Sequence, residues 1–176
     1  MHIQSNNNGP ATRHIIFLFC SILLYFALNA FTQYSASKTA DLDQAEQLIL
    51  SQSLELGYGA QPPLYTYLVN VAFYLTGPKL GTLLAIKALL LSTLLTIFLA
   101  IGNRLDFTRY QQLITVAGFA FIPAIIWESQ RDLTHSVLAT TIAAATLLQT
   151  LIIRHQNTPN NYIYLGLLIG LGVISK

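Results

Sequence analysis

Long apolar runs separated by short polar stretches dominate this 176-residue chain. A helix needs about 20 consecutive apolar residues to cross the hydrocarbon core of a bilayer, and several of the runs approach that length. The runs are continuous and lack the alternation that marks half-buried strands. The pattern predicts an all-α polytopic membrane protein with five spans, at about 15–33, 82–101, 112–128, 136–153 and 162–176.

The two ends of the chain differ in character. Residues 1–14 are polar and Asn-rich, which is typical of a disordered tail. The run after them also has the form of a secretory signal, but it is long and no clear small-residue cleavage site follows, so we expect an uncleaved first span. The last run begins at Tyr162 and gives about 22 Å of helix at 1.5 Å per residue. A hydrocarbon core of about 30 Å is thicker, so we expect residues 15–176 to be the N-terminal part of a longer transmembrane domain.

A polar segment at 34–81 separates the first two spans. Apolar residues recur at helical spacing over 43–56, which predicts an amphipathic helix. Asp43 and Glu46 have the form of a capping box at its start, and Gly57 stands where a helix-ending glycine would stand. The helix is too polar to span a bilayer, and we expect it to lie along the membrane surface.

A second short segment begins at Pro62-Pro63 and runs over about 64–75. It is rich in Tyr and Phe, and with about 12 residues it is too short to cross a bilayer. Tyr side chains favour the headgroup region of a membrane. This segment therefore predicts an interfacial or re-entrant helix.

The low charge content is typical of a membrane protein, and the positions of Lys and Arg predict its orientation. Only 9% of the residues are charged, whereas soluble domains carry about 25%, and a net charge of +2 gives no indication of nucleic-acid binding. Lys and Arg are favoured in cytoplasmic loops. The expected cytoplasmic segments hold Arg13, Arg104, Arg109 and Arg154, and the outer segments hold Lys38, Lys79 and Arg131. We therefore expect a cytoplasmic N-terminus, with segment 34–81 outside.

This orientation places two acidic clusters on the same side of the membrane. One follows the first span and contains Asp41, Asp43 and Glu46, and the other lies between the third and fourth spans and contains Glu128, Arg131, Asp132 and His135. Ionisable groups at the ends of apolar helices are costly and often mark sites. A carboxylate can deprotonate a hydroxyl nucleophile, and cations can hold a phosphate leaving group. The combination favours a reaction on a lipid-linked phosphate.

Each of these residues also has a purely structural interpretation. Asp43 and Glu46 need do no more than cap the helix that follows them, and Asp132 has the position of a cap for the fourth span. Lys87, in the second span, can extend to the interface without any specific partner. From the residues alone, a non-catalytic membrane helix bundle or a transporter segment is an alternative to an enzyme.

The stretch Asp41 to Tyr67 resembles the first extracytoplasmic loop of bacterial glycosyltransferases of the GT-C superfold. These are the family 39 and 83 enzymes, related to protein O-mannosyltransferases and to lipid A aminoarabinose and galacturonic acid transferases. The matching motifs are Asp43-Gln44-Ala45-Glu46, Gly57-Tyr58-Gly59, Gln61-Pro62-Pro63-Leu64-Tyr65-Thr66-Tyr67-Leu68, Arg131-Asp132-Leu133 at the fourth helix, and the Gly-rich run 166–176 that ends in Ser-Lys. Gln44 replaces the family's second acid. Gln61 replaces the Lys of aminoarabinose transferases, which argues against an aminoarabinose donor.

The resemblance implies an inverting transferase in the bacterial inner membrane. It would move a sugar from a polyprenyl-phosphate donor to a hydroxyl of a glycolipid or protein acceptor on the periplasmic side. Asp43 would be the base, and Asp132 would orient the acceptor or a cation. The implied substrate-binding residues are Asp41, Glu46, Gln61, Tyr65, Arg131, His135 and Lys176, of which Gln61 and Tyr65 would line the donor pocket. A divalent cation is left open, and we expect this part of the protein to be inactive alone.

Overall fold

The computed structural model describes residues 9–37, 39–59, 61–132 and 134–176. Within these ranges every regular element is a helix, which confirms the all-α prediction. The elements are α1 (Gly9–Ala36), α2 (Leu42–Leu50), α3 (Pro63–Thr76), α4 (Leu80–Arg104), α5 (Arg109–Phe119), a π-helical turn (Ala124–Glu128), α6 (Ser129–Arg131), α7 (Thr134–His155) and α8 (Pro159–Val173).

Three helices in the described part of the chain are long and apolar enough to cross a membrane: Ile16–Ala36, Leu80–Arg104 and Thr134–His155. They correspond to the predicted spans at 15–33, 82–101 and 136–153, and they confirm a polytopic membrane protein. The segment predicted as a span at 112–128 is not one straight helix. It is a pair of helical pieces, Arg109–Phe119 and Ala124–Arg131, bent by 70°. Pro123 lies in the break, where it lacks the N–H that a continuous helix needs.

The terminal helices also differ from the predicted boundaries. Helix α1 begins at Gly9, so residues 9–14 of the predicted tail 1–14 are helical, and residues 1–8 lie outside the described ranges. Helix α8 has 15 residues and begins with Pro159 in its first turn, a position where the missing N–H costs nothing. It occupies most of the segment predicted at 162–176.

Helix α4 is the centre of the bundle and packs against α1 and α7, and α7 in turn packs against α8. One buried cluster joins α1, α4 and α7 through Leu18, Ile22, Phe26, Leu91, Leu95, Leu99 and Val137. A second joins α3, α4 and α7 through Tyr65, Val69, Leu83, Ile86, Leu138 and Ile142. Between membrane helices such contacts stabilise mainly through close van der Waals packing. The second cluster fixes α3 beside the N-terminal end of α7.

The N-cap of helix α2 lies two residues earlier than the spacing predicts. Asp41 is the N-cap of α2, and the side-chain Oε1 of Gln44 accepts a hydrogen bond from the Asp41 backbone N–H at 3.1 Å. The predicted capping box of Asp43 and Glu46 is therefore wrong. Helix α2 also ends at Leu50, well before Gly57, because Ser51 and the polar residues after it favour turns over helix.

Tyr58 organises the chain between α2 and α3. Its hydroxyl donates to the carbonyl of Ser53 at 2.9 Å and accepts from the N–H of Glu55 at 3.2 Å. Gly59 then takes a φ of 64°, a left-handed conformation that glycine adopts without steric cost. The N–H of Gln61 donates to the carbonyl of Tyr58 at 3.1 Å, which closes the turn and brings Gln61 back towards α2.

Candidate functional site

A cavity of about 290 Å³ opens where the first loop meets the N-terminal end of α7. It is lined by Asp43, Glu46, Gln61, Pro62, Thr134, His135, Ser136 and Lys176. These residues come from α2, the start of α3, the first turn of α7 and the segment after α8. Five residues that the sequence singled out as candidates therefore lie around one space, although up to 133 positions separate them (176 − 43).

Asp43 joins the first loop to α7. It is the second residue of α2, and its Oδ2 accepts a hydrogen bond at 3.2 Å from the backbone N–H of Thr134, the first residue of α7. Backbone N–H groups at a helix start have no partner within the helix, and a carboxylate there is stabilised by the helix dipole. The Asp43 side chain thus accepts from the first backbone N–H of α7 and does not cap α2. This hydrogen bond fixes Oδ2, and Oδ1 is left to face the cavity.

Four more polar side chains complete the rim. The Nε2 of Gln61 donates to Oε1 of Glu46 at 3.4 Å, and the Nζ of Lys176 donates to Oγ of Ser136 at 2.9 Å. The N–H of Leu64 donates to the carbonyl of Ile174 at 3.3 Å, which holds the end of α8 beside the start of α3. Two carboxylates and one ammonium group therefore face the same small volume.

Behind the cavity wall runs a buried chain of hydrogen bonds that the sequence did not reveal. The hydroxyl of Thr66 donates to Oε1 of Gln47 at 3.1 Å, and Nε2 of Gln47 lies 3.1 Å from Nε2 of His135. Thr66 and Gln47 are both 0% exposed. No spacing rule predicts these contacts, because each pairs residues from different helices.

Tyr65 lies deeper than its predicted place in a donor pocket. Its ring centroid is 5.3 Å from that of His135, and the side chain is only 1% exposed. Burial, reinforced by the negative charge of Asp43, raises the pKa of the Tyr65 hydroxyl, which stays protonated at neutral pH. Within the described residues, the Tyr65 hydroxyl, Thr134 Oγ1 and His135 Nδ1 are buried and have no hydrogen-bond partner. Such groups are normally paired, and Thr134 and His135 both line the cavity, so their free polar atoms suit a polar occupant there.

Two other candidates, Asp41 and Arg131, line a different cleft of about 460 Å³ between α1, α2 and the π-helical turn. Its polar lining includes Asn29, Gln33, Gln44, Trp127 and Gln130. The Nε2 of Gln33 donates to Oδ1 of Asn29 at 3.2 Å and to the carbonyl of Gln130 at 3.4 Å. Helix α2 therefore has a polar space on each side, with Asp41 at one and Asp43 at the other.

Lys87 links the bundle to the turn before α7. Its Nζ donates to the carbonyls of Arg131 and Asp132 at 2.9 and 3.1 Å, and the side chain is 4% exposed. The interpretation of Lys87 as a side chain without a specific partner is therefore wrong. Asp132 contributes to the lining of neither space, and its contact with Lys87 runs through its backbone.

The resemblance left a divalent cation open. In the described ranges, no three His, Cys, Asp or Glu side chains come close enough together to hold a metal ion.

Comparison with curated proteins finds two relatives in Rhizobium johnstonii. The chain is 34% identical over 168 residues to the lipopolysaccharide core galacturonosyltransferase RgtB, covering 93% of this chain and 33% of the relative. It is 30% identical over 168 residues to the lipopolysaccharide core galacturonosyltransferase RgtA, covering 94% of this chain and 33% of that relative. No family model and no solved structure matches. The chain spans about a third of the length of these curated relatives, and the similarity extends over nearly all of it.

Proposed function

We propose that this chain is part of a glycosyltransferase, with its reaction site in the cavity beside Asp43. The observation that carries the proposal is the meeting of Asp43, Glu46, His135 and Lys176 at the N-terminal end of α7. The similarity to two lipopolysaccharide core galacturonosyltransferases supports it independently. The donor would be a polyprenyl-phosphate sugar, and the acceptor a hydroxyl of a glycolipid or, less in keeping with these relatives, of a protein.

In this reaction Asp43 acts as the general base. Its carboxylate takes the proton of the acceptor hydroxyl as the oxygen forms a bond to the anomeric carbon of the sugar. The bond between that carbon and the phosphate oxygen breaks, and the phosphate leaves with the electron pair. Attack opposite the leaving group inverts the anomeric carbon. Lys176 supplies positive charge for the phosphate, as cations at developing negative charge do in phosphoryl and glycosyl transfer.

The remaining candidates divide between the two spaces. Glu46, Gln61 and His135 bind the transferred sugar in the cavity, where carboxylate, amide and imidazole groups match hydroxyl groups. Asp41 and Arg131 bind a more distant part of a substrate in the neighbouring cleft, where the exposed indole of Trp127 offers a stacking face. The assignment of Asp132 as a second catalytic acid is retained as a proposal that mutation can test, since its side chain lines neither space.

The printed names of the relatives favour a uronic acid as the transferred sugar and the lipopolysaccharide core as acceptor. A uronate differs from a neutral hexose by one carboxylate, which calls for a cation at its binding site. Lys176 in the cavity and Arg131 in the cleft both meet that requirement. We further propose the bacterial inner membrane as the location, with the N-terminus in the cytoplasm and the cavity on the periplasmic face.

The proposal is tested by expressing the full-length protein in a bacterium whose lipopolysaccharide core lacks galacturonic acid but which makes the polyprenyl-phosphate uronate donor. Mass spectrometry of the purified core should then detect an added uronic acid residue. An unchanged core, despite folded protein in the membrane, would contradict the proposal. That result would favour a non-catalytic helix bundle or a transporter segment.

A further inference from the structure

His135 lies between the buried core and the cavity. It is the second residue of α7, it is 8% exposed, and it lines the cavity together with Asp43 and Glu46. A neutral imidazole carries one proton, on either Nδ1 or Nε2, and the nitrogen that is not protonated can only accept. The tautomer of His135 therefore decides which ring nitrogen donates a hydrogen bond and which accepts one.

The Thr66–Gln47 pair provides that constraint. The Thr66 hydroxyl donates to Oε1 of Gln47, so the oxygen of the amide is already engaged and its NH₂ group faces His135. With the amide in this orientation its NH₂ group can donate but cannot accept, so Nε2 of His135 is the acceptor in the 3.1 Å contact. The proton of the neutral ring is then on Nδ1.

Nδ1 of His135 is the nitrogen that has no hydrogen-bond partner among the described residues. A buried N–H left unpaired destabilises the fold, so a protein keeps such a group mainly where something else completes it. The cavity that His135 lines is the space from which an occupant can do so. The two carboxylates there offer only acceptors, and a donor at this wall complements them.

We propose that Gln47 is a positioning residue that holds His135 as its neutral Nδ1–H tautomer. The wall beside Asp43 thereby presents a hydrogen-bond donor to an oxygen of the sugar substrate. Gln47 itself touches no substrate, since it is fully enclosed, and it acts through His135 alone. This inference rests on the proposed transferase function and adds to it a residue that orients the sugar relative to the base.

The tautomer can be measured without any assay of activity. The full-length protein is labelled with ¹⁵N-histidine, and the His135 signals are identified as those lost in His135→Asn. We expect Nδ1 to be the protonated nitrogen of His135 in the wild-type protein. After Thr66→Val, which removes the hydroxyl that orients the amide, we expect both tautomers. A protonated Nε2 in the wild-type protein, or an unchanged tautomer after Thr66→Val, would overturn the inference.

A double-mutant cycle on the rate of sugar transfer tests whether Gln47 affects catalysis through His135. Gln47→Met keeps the length of the side chain but removes both hydrogen bonds, and we expect kcat to fall about 10- to 100-fold, as when a histidine loses its orienting partner. His135→Asn places an amide nitrogen near the position of Nδ1 and has no tautomer to fix. In that background Gln47→Met should change kcat by no more than about twofold, the error of additivity itself. Equal losses in both backgrounds would overturn the proposal.

Two controls distinguish a failure of the proposed role of Gln47 from a failure of the proposed transferase function. Gln112→Met also removes a buried amide, which bonds Asn103 at the other end of α4, and it should leave kcat unchanged in folded protein. Asp43→Asn is assayed in parallel. If Asp43→Asn transfers sugar at the wild-type rate, the proposed function fails. If it is inactive while the cycle is additive, only the role of Gln47 fails.

Discussion

The carboxylate of Asp43 accepts a hydrogen bond from the backbone N–H of Thr134 across 91 positions of the chain. This single contact ties the first loop to the start of a membrane-spanning helix. It also places the candidate base next to His135 and Ser136, because they follow Thr134 in the first turn of α7. A residue with the sequence signature of a local cap is therefore a cap for a distant helix and, in our proposal, a catalytic group as well.

The capping role and the proposed catalytic role of Asp43 can be separated by two substitutions. Asp43→Asn keeps an oxygen that accepts from Thr134, whereas Asp43→Ala leaves that N–H without a partner. Loss of a helix cap costs roughly 0.5–2 kcal/mol. Thermal unfolding in detergent should show a lower midpoint for Asp43→Ala than for Asp43→Asn, which should unfold near wild type. Equal midpoints for the two variants would show that Asp43 does not stabilise α7.

Lys87 should matter for stability. Its ammonium group bonds two carbonyls in the turn before α7, and Lys87→Met would leave both without that donor. Hydrogen bonds to charged groups contribute about 1.5–3 kcal/mol each, so we expect a clearly lower unfolding midpoint. Lys79→Met is the matched control, because Lys79 is exposed just before α4 and its loss should change little. Equal effects of the two substitutions would contradict the anchoring role of Lys87.

Tyr65→Phe should separate activity from stability. The Tyr65 hydroxyl has no partner among the described residues, so its removal should leave the unfolding midpoint at neutral pH nearly unchanged or raise it. If the hydroxyl contacts substrate, as the resemblance implies, the rate of sugar transfer should fall. A large drop in the midpoint at neutral pH would instead indicate a structural role.

The same variant gives a pH test. Because burial raises the pKa of Tyr65 in the folded state, the folded protein holds this proton at higher pH than the unfolded chain does. Its contribution to stability is complete below the ordinary tyrosine pKa of 10.0 and is lost as pH rises above that value. Above pH 10 the wild-type midpoint should therefore fall more steeply than that of Tyr65→Phe. Parallel curves would contradict the burial of this hydroxyl.

The proposed orientation predicts the behaviour of reporter fusions. Alkaline phosphatase, which folds only outside the cytoplasm, should be active when it is fused after Gly59 and inactive when it is fused after Asp106. Green fluorescent protein should show the opposite pattern. Gly59 lies in the first loop and Asp106 in the turn between α4 and α5, at the two ends of the bundle. An active phosphatase at Asp106 and an inactive one at Gly59 would place the cavity on the cytoplasmic side.

The sequence predicts the spans well because apolar length is a local property. The spans at 82–101 and 136–153 lie within α4 and α7, and the broken span has its break at Pro123, the residue that cannot continue a helix. Cap positions are less predictable. Asp41 and Asp43 both suit an N-cap, and the choice depends on Gln44, whose side chain reaches back to Asp41.

The sequence allowed several residues that line the cavity to be predicted, but not the hydrogen bonds between them. The family resemblance singled out Asp43, Glu46, Gln61, His135 and Lys176, and the fold brings these five together. It did not separate them from Asp41 and Arg131, which face the cleft on the other side of α2. Gln47 escaped detection altogether, and Lys87 was noticed without its partners, because a buried polar residue carries no sequence signal for a partner on another helix.

Two isosteric substitutions in the full-length protein test whether Asp43 is the base in a sugar-transfer site. Asp43→Asn removes the base in the cavity, and Asp106→Asn makes the same chemical change at an exposed turn at the other end of the bundle. We measure transfer of a labelled uronic acid from the polyprenyl-phosphate donor to lipopolysaccharide core in membranes with equal amounts of folded protein. We expect a loss of about 10²- to 10⁴-fold for Asp43→Asn, the usual contribution of a general base, and wild-type transfer for Asp106→Asn. Transfer at the wild-type rate by Asp43→Asn would show that Asp43 is not the base.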